Sequence, residues 1–315
     1  MKLDAATRVL RFYRRFVEPL RFARVRAERL RDFGQEPEGP LPIAHIDPGH
    51  LLPTCRRSCA RRIEGMKWYL STVRDAGEGA DSRFRGTMTL IDRTEYADFE
   101  VFERTVRKAT KDAVGNKVRK ALKNGYTARR INRKLHEPDV AAIRKSKRFR
   151  SGGLVPWSFL PMRVAAPFGR RKLYRVRQPR CLHHWRVDFG VFLPEPGHRQ
   201  GPFVVNERLV GIINLARSGN IIRTTEVLGH GDHLAAGVMD LLMMEVMRWI
   251  FAGGEGATEG VDYICYGKAE HGAPGLGAWK RKYGFRAHLW APRPRADALS
   301  AAAPRPALAA PLPSE

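Results

Sequence analysis

"LAAGVMDLLMMEVMRWIFAGG", from Leu234 to Gly254, decides the fold class. Between Gly237 and Phe251 only Asp240, Glu245 and Arg248 carry polar side chains. Wound at about 3.6 residues per turn, this segment is apolar almost all round. A helix of that kind sits at the centre of a fold, not on its surface. Stretches rich in β-branched and aromatic residues flank it. "HHWRVDFGVFL" (His183–Leu193), "RLVGIINLA" (Arg208–Ala216) and "NIIRTTEVLG" (Asn220–Gly229) come before it, and the turn "RSGN" joins the last two. "VDYICYG" (Val261–Gly267), a short helix "GLGAWKRKYG" (Gly275–Gly284) and "FRAHLW" (Phe285–Trp290) come after it. Three strands, a buried helix, a strand, a helix and a strand predict a right-handed crossover. That crossover sets two parallel strands side by side within a largely antiparallel sheet.

Upstream, "DFEVFERTVRKATKDAVGNKVRKALKNG" (Asp98–Gly125) opens on an N-capping aspartate and closes on Asn-Gly. It predicts a helix broken in two at Gly115–Asn116. A strand, "YTARRIN" (Tyr126–Asn132), and a helix, "HEPDVAAIRKSKRF" (His136–Phe149), follow, and then a loop-rich stretch, "SGGLVPWSFLPMRVAAPFG" (Ser151–Gly169). Between Pro40 and Asp98, "PIAHI" and "GTMTLID" predict strands. "CARRIEGMKWYLSTV" predicts a helix on which Ile63, Met66, Tyr69 and Leu70 recur at helical spacing. The expected class is α/β, with a mixed, mainly antiparallel sheet, a central buried helix and a parallel strand pair. The expected organisation is a basic amphipathic helix over 1–40, a small α/β portion over 41–98, the main domain over 99–290, and a disordered Ala/Pro-rich tail over 291–315.

The chain has 57 Lys+Arg against 32 Asp+Glu, a formal charge of +25, which predicts a polyanionic partner. The densest zone, 101–150, holds 17 cations against 4 acids. From 104 to 150 its only aromatics are Tyr126 and Phe149, too few to stack the bases of a single strand. No apolar run is long enough to span a bilayer, no secretory signal opens the chain, and four cysteines make no disulfide framework. Together these features predict a cytoplasmic protein. The segment Val9–Arg31, with a break near Pro19, is suited either to lie on anionic lipid at the inner face of the membrane or to dock on its own domain. His45, His50, Cys55 and Cys59 are zinc-capable residues, but they do not form two close ligand pairs, and arginines adjoin them. No metal is expected.

With these motifs in place, the order of elements resembles the acyl-CoA N-acyltransferase fold of the N-acetyltransferase superfamily over about residues 99–290. It is closest to the Fem-type transferases that build peptidoglycan bridges from aminoacyl-tRNA. "KVRKALKNGY" (Lys117–Tyr126) is similar to the basic helix-then-strand motif of that branch, and "WKRKYG" (Trp279–Gly284) to its aromatic–Lys–x–x–aromatic–Gly motif. The chain departs from the superfamily's pyrophosphate loop, since in "GHGDHLAAGVMD" only Gly237 fits well. The region before residue 99 is also short for the first of two tandem domains.

The resemblance implies an enzyme that moves an acyl or aminoacyl group from acyl-CoA or aminoacyl-tRNA to an amine-bearing acceptor. No cysteine or serine beside a base points to a covalent intermediate, so direct attack by the amine is expected. Such transfer needs a neutral amine and a stabilised oxyanion. Lys280 is the candidate cation, with the ammonium turned to a cleft, and Glu226 the candidate base, alternating with Thr224 on its strand. His230 and His233 are further candidate bases. Gly237, Gly275, Gly277, His271, Lys117, Arg119 and Lys120 are the candidate donor-binding residues. The alternative is a non-catalytic RNA-binding protein on the same fold.

Overall fold

The computed structural model describes residues 12, 17–36, 39–53, 55–77, 85–147, 149–150, 153–154, 175–272 and 274–294, and eight of its strands share one sheet. In chain order these are β1 (Ile43–Ile46), β2 (Met88–Asp92), β3 (Thr127–Ile131), β4 (His184–Pro194), β5 (Glu207–Ser218), β6 (Ile221–Gly229), β7 (Tyr263–Lys268) and β8 (Arg286–Pro292). The α-helices are α1 (Glu18–Asp32), α2 (Arg57–Leu70), α3 (Phe99–Ala109), α4 (Ala113–Lys123), α5 (Glu137–Lys145), α6 (Val238–Phe251) and α7 (Pro274–Lys282). The sheet order is β1-β8-β2-β7-β6-β5-β4-β3, antiparallel throughout except for the β1–β8 and β6–β7 pairs. The chain is therefore α/β with a large mixed sheet.

Alternation along the strands decides which helix covers which face. Ile222 and Ile264 point into the main core with α3, α4 and α6, where Val238, Leu242, Val246 and Ile250 are fully buried. Their neighbours Ile221, Tyr263 and Cys265 point the other way, into a second core with Met66, Tyr69 and Leu70 of α2. Farther along that second face, Val140 and Ile143 of α5 pack on Ile131, Leu209 and Ile212. α2 and α5 thus share one face of the sheet, and a strip of β4, β5 and β6 lies open between them.

The parallel pairing of β6 with β7 covers only Ile221–Arg223 against Tyr263–Cys265. Beyond those residues the two strands are no longer paired, and α6 carries the crossover between them. The β5–β6 turn brings the Gly219 backbone so close to Asp47 that a Cβ there would lie 1.9 Å from the Asp47 carbonyl. Its φ of +63° also favours glycine.

Several expectations need correction. The 41–98 segment is no separate portion, because β1 and β2 belong to the one sheet, with β2 between β8 and β7. The break between α3 and α4 comes at Thr110–Asp112, where Lys111 and Asp112 adopt positive φ of 47° and 60°. Gly115 lies inside α4, where a Cβ would crowd the Asp112 carboxylate at 2.2 Å. Helix α1 docks on its own domain. Phe22 and Leu30 are buried, Arg26 pairs with Glu270, and α1 packs against α7, which is the docking alternative of the sequence reading, while Val17 and Leu20 stay exposed. Residues 9–11 and 13–16 of that predicted segment lie outside the described residues, as do 295–315 of the predicted tail and most of the loop-rich 151–169. Among the described residues no helix is long and apolar enough to cross a membrane.

Candidate active site

The open strip between α2 and α5 is the floor of a cleft of about 930 Å³. Ten arginines and Lys134 line it, against three carboxylates, Glu137, Asp188 and Glu226. Arg61 and Arg62 come from α2, Arg133 from the turn after β3, and Arg144 from α5. On the floor, polar residues form a row across three strands. Asp188 of β4 sits opposite Asn214 of β5, and Asn214 sits opposite Glu226 of β6. The β5–β6 register skips Thr225, a bulge that lets Thr225 and Glu226 both face the cleft. Glu226 therefore does not simply alternate with Thr224.

Asn214, fully buried in the apolar run Leu209–Ala216 of β5, organises the row. Its Nδ2 donates to Asp188 Oδ1 at 2.6 Å and to the Val187 carbonyl at 3.2 Å, and its Oδ1 accepts from the Thr225 hydroxyl. The two floor carboxylates are driven in opposite directions. Burial raises the Asp188 carboxyl above its ordinary range, and the Asn214 hydrogen bond and nearby Arg186 and Arg133 only partly oppose this. Burial would raise Glu226 as well. There, Arg133 on Oε2 and Arg144, whose Nη2 and Nε both donate to Oε1 at 2.6 and 3.0 Å, outweigh burial and hold the carboxyl low. Two acids in one site with separated pKa values are the usual signature of an acid–base pair. Glu226, held low by two guanidinium groups, is a poor base, and Asp188, held high by burial, takes up a proton more readily.

The other candidates lie elsewhere. Lys280 is only 1% exposed and is not among the cleft residues. Its Nζ donates to the Lys268 carbonyl at 2.7 Å and lies 5.1 Å from the Tyr266 ring centre. Burial pulls its pKa down to about 8 despite the opposing Cys265 and Glu270. Arg281 donates to the Asp32 carbonyl, and Lys282 and Tyr283 both donate to Asp240. The cationic cluster is thus neither a solvated helix end nor a cleft wall. It fastens α7 to β7, α1 and α6.

His233 Nδ1 meets the Tyr126 hydroxyl at 2.7 Å, and His230 Nδ1 accepts from the Asp232 amide at 3.4 Å. Both histidines belong to the turn before α6, away from Asp188 and Glu226. Gly237 packs on α4, where a Cβ would lie 2.4 Å from the Lys117 carbonyl, and Lys120 donates to the Ala235 carbonyl at 3.1 Å. Arg119 pairs with Asp112, His271 with Glu18, and Gly277 lies against Asp32, while Gly275 is exposed at the start of α7. Of the candidate donor-binding residues, Gly237, Lys120, Arg119, His271 and Gly277 thus lie against the chain's own groups. Cys55 and Cys59 come together, but His45 and His50 stay apart from them.

Sequence reasoning missed Asp188, Asn214 and Thr225. The available signal was a lone Asn within "LVGIINLA" and an Asp within "WRVDFGVF", polar residues where a buried strand has no use for them. No protein-family model matches the chain, and no curated protein matches it.

Two outcomes follow. Glu226→Gln leaves Arg144 without its acidic partner and Arg133 with Glu137 alone, and should cost about 3 kcal/mol in urea unfolding. The Glu226 contribution is complete above the ordinary carboxyl value of 4.5 and is lost as pH falls through the lower folded value, so the variant should also lose part of the wild type's acid sensitivity. An unchanged unfolding midpoint would contradict the clamp. For Lys280, the folded chain releases its proton at about 8 and the unfolded chain at 10.5, so this residue's share of stability rises with pH across that window. Relative to Lys280→Met, the wild type should therefore gain stability between those values. A difference that stays flat would mean the ammonium is solvated.

Proposed function

We propose that this chain is an N-acyltransferase with the acyl-CoA N-acyltransferase-like fold, moving an aminoacyl group from an RNA ester to an amine by direct attack. The observation that carries the proposal is the carboxylate pair, Asp188 raised and Glu226 lowered, on the floor of an arginine-walled cleft. The short β6–β7 parallel contact around a buried crossover helix supports the fold assignment.

Phosphate-rich donors suit the cleft walls, and the choice of RNA over CoA rests on where anions have room. Gly237 and Lys120 are engaged by their own chain, and the first turn of α6 already holds the buried carboxylate of Asp240. The cleft, by contrast, offers the guanidinium groups of Arg61 and Arg62 from α2 and Arg186 from β4, a spread suited to a phosphate backbone. In the reaction, the acceptor amine gives its proton to Asp188 and attacks the ester carbonyl. The bond from that carbon to the ribose oxygen breaks, and the proton passes from Asp188 to the departing oxygen. Arginines of the wall stabilise the oxyanion. The one serine of the cleft, Ser218, already donates to the Pro48 carbonyl at 2.7 Å, and no cysteine lines it, which favours direct transfer over a covalent intermediate.

The test follows labelled aminoacyl groups from charged tRNA, and in parallel acetyl groups from acetyl-CoA, onto a panel of amines. Charged tRNA should be consumed only when an acceptor amine is present. Asp188→Asn should slow transfer by about 100-fold or more with tRNA binding unchanged. Binding without turnover from either donor would favour the non-catalytic RNA-binding reading, and transfer from acetyl-CoA alone would move the donor to the CoA class.

A further inference from the structure

At the end of the sheet near the start of β4, three thiols and one imidazole converge. Cys55 precedes α2, Cys59 lies in its first turn, Cys181 precedes β4, and His184 is the first residue of that strand. One ligand atom from each lies within 4.8 Å of all the others. The Cys55 and Cys181 sulfurs are 3.9 Å apart, and His184 Nδ1 is 3.5 Å from Cys55 Sγ and 3.6 Å from Cys181 Sγ. These separations have a simple geometric meaning. With Zn–S of about 2.3 Å and Zn–N of about 2.0–2.1 Å, a tetrahedral ion sets its ligands about 3.8 Å apart for two sulfurs and about 3.5 Å apart for sulfur and nitrogen. A disulfide would instead need sulfurs about 2.05 Å apart.

We propose that Cys55, Cys59, Cys181 and His184 bind one zinc ion as a closed structural site. The ligands form a C-x3-C pair and a C-x2-H pair, the two-pair pattern of structural zinc. The second pair is 126 residues away in sequence from the first, which hid it from the reading of 45–59 alone. Cys59, Cys181 and His184 are buried, and four protein ligands leave no open position for water. The Arg56 amide donates to Cys59 Sγ at 3.5 Å at the start of α2, which favours the thiolate. Three thiolates, a neutral imidazole and Zn²⁺ sum to one negative charge, so neighbouring Arg56, Arg57 and Arg62 balance the site instead of repelling it. Ligation through Nδ1 leaves the ring proton on Nε2. That side faces Gly49, where a Cβ would lie 2.6 Å from Nε2 and displace the ring.

The site joins the start of α2 to the start of β4. It thereby fixes the helix that carries Arg61 and Arg62 against the strand that carries Arg186 and Asp188, and it stands whether or not the proposed chemistry is correct. The test is the metal content of the full chain purified under reducing conditions without chelator. About one zinc per chain is expected, released by a mercurial thiol reagent. Replacement by Co²⁺ should give the visible and thiolate charge-transfer bands of a tetrahedral sulfur-rich site. Cys59→Ser and Cys181→Ser should fall to a small fraction of that zinc content, whereas Cys265→Ser, which alters the thiol beside Tyr69, should keep it. A wild-type chain that holds no zinc and takes up no Co²⁺, or that carries a Cys55–Cys181 disulfide, overturns the proposal. The wild-type measurement decides the matter even where a serine variant fails to fold.

Discussion

The structure depends on a parallel contact of three residue pairs between β6 and β7, and on the buried side chains that fix where it begins. Asn220 is 3% exposed and ties two other segments to its own turn. Its Oδ1 accepts from the Asp47 amide at 2.8 Å, and its Nδ2 donates to the His45 carbonyl at 3.0 Å and to Asp262 at 2.9 Å. Beside it, the buried Arg217 guanidinium donates to the carbonyls of Gly219, Ala257 and Glu259 at 2.6 to 2.8 Å. Groups this buried must be satisfied, and here all the partners but the Asp262 carboxylate are backbone atoms. One end of the strand pair is thereby locked, so the other end is free to part around α6.

That lock also shapes the candidate site. β6 leaves β7 after Arg223 and bulges at Thr225, and the bulge delivers Glu226 to the guanidinium groups of Arg133 and Arg144. A cleft with ten arginines repels itself unless anions enter it. Glu226 neutralises part of that charge from within, Glu137 and Glu255 pair with Arg133 and Arg130, and the remaining positive charge is what the proposed phosphate-bearing ligand would meet. Asp188 keeps its proton more readily than an ordinary aspartate because burial, not a guanidinium pair, dominates its surroundings. Position in the row thus separates the roles of two otherwise similar acids.

The elements of the fold were legible because their signals are local. An apolar segment without a polar face can only be the buried helix, and the Ser218–Ile221 turn carries its glycine in the sequence. The break before α4 was misplaced because it depends on Lys111 and Asp112 in positive φ, and Asp112 then binds Arg107 and Arg119; no propensity announces this. Lys280 was misread for a different reason. A lysine among cations at helical spacing looks solvated or functional, and only the arrival of β7, with the Lys268 carbonyl and the Tyr266 ring, shows it turned inward. The Cys/His group was half visible, since its second pair arrives by way of the sheet. The polar row on the cleft floor was invisible for the same cause, as Asp188, Asn214 and Glu226 become neighbours only through register.

The central claim is that the cleft is built for a phosphate backbone, and the salt dependence of RNA binding tests it most directly. The affinity of a labelled tRNA is followed by anisotropy from low to physiological salt. Each neutralised phosphate lowers log K by about 0.7–0.9 per decade of salt, so a slope of about −3 or steeper is expected, becoming shallower by about 1 for each of Arg61→Gln and Arg186→Gln. Affinity that stays constant with salt, or a slope that neither substitution alters, would contradict the account.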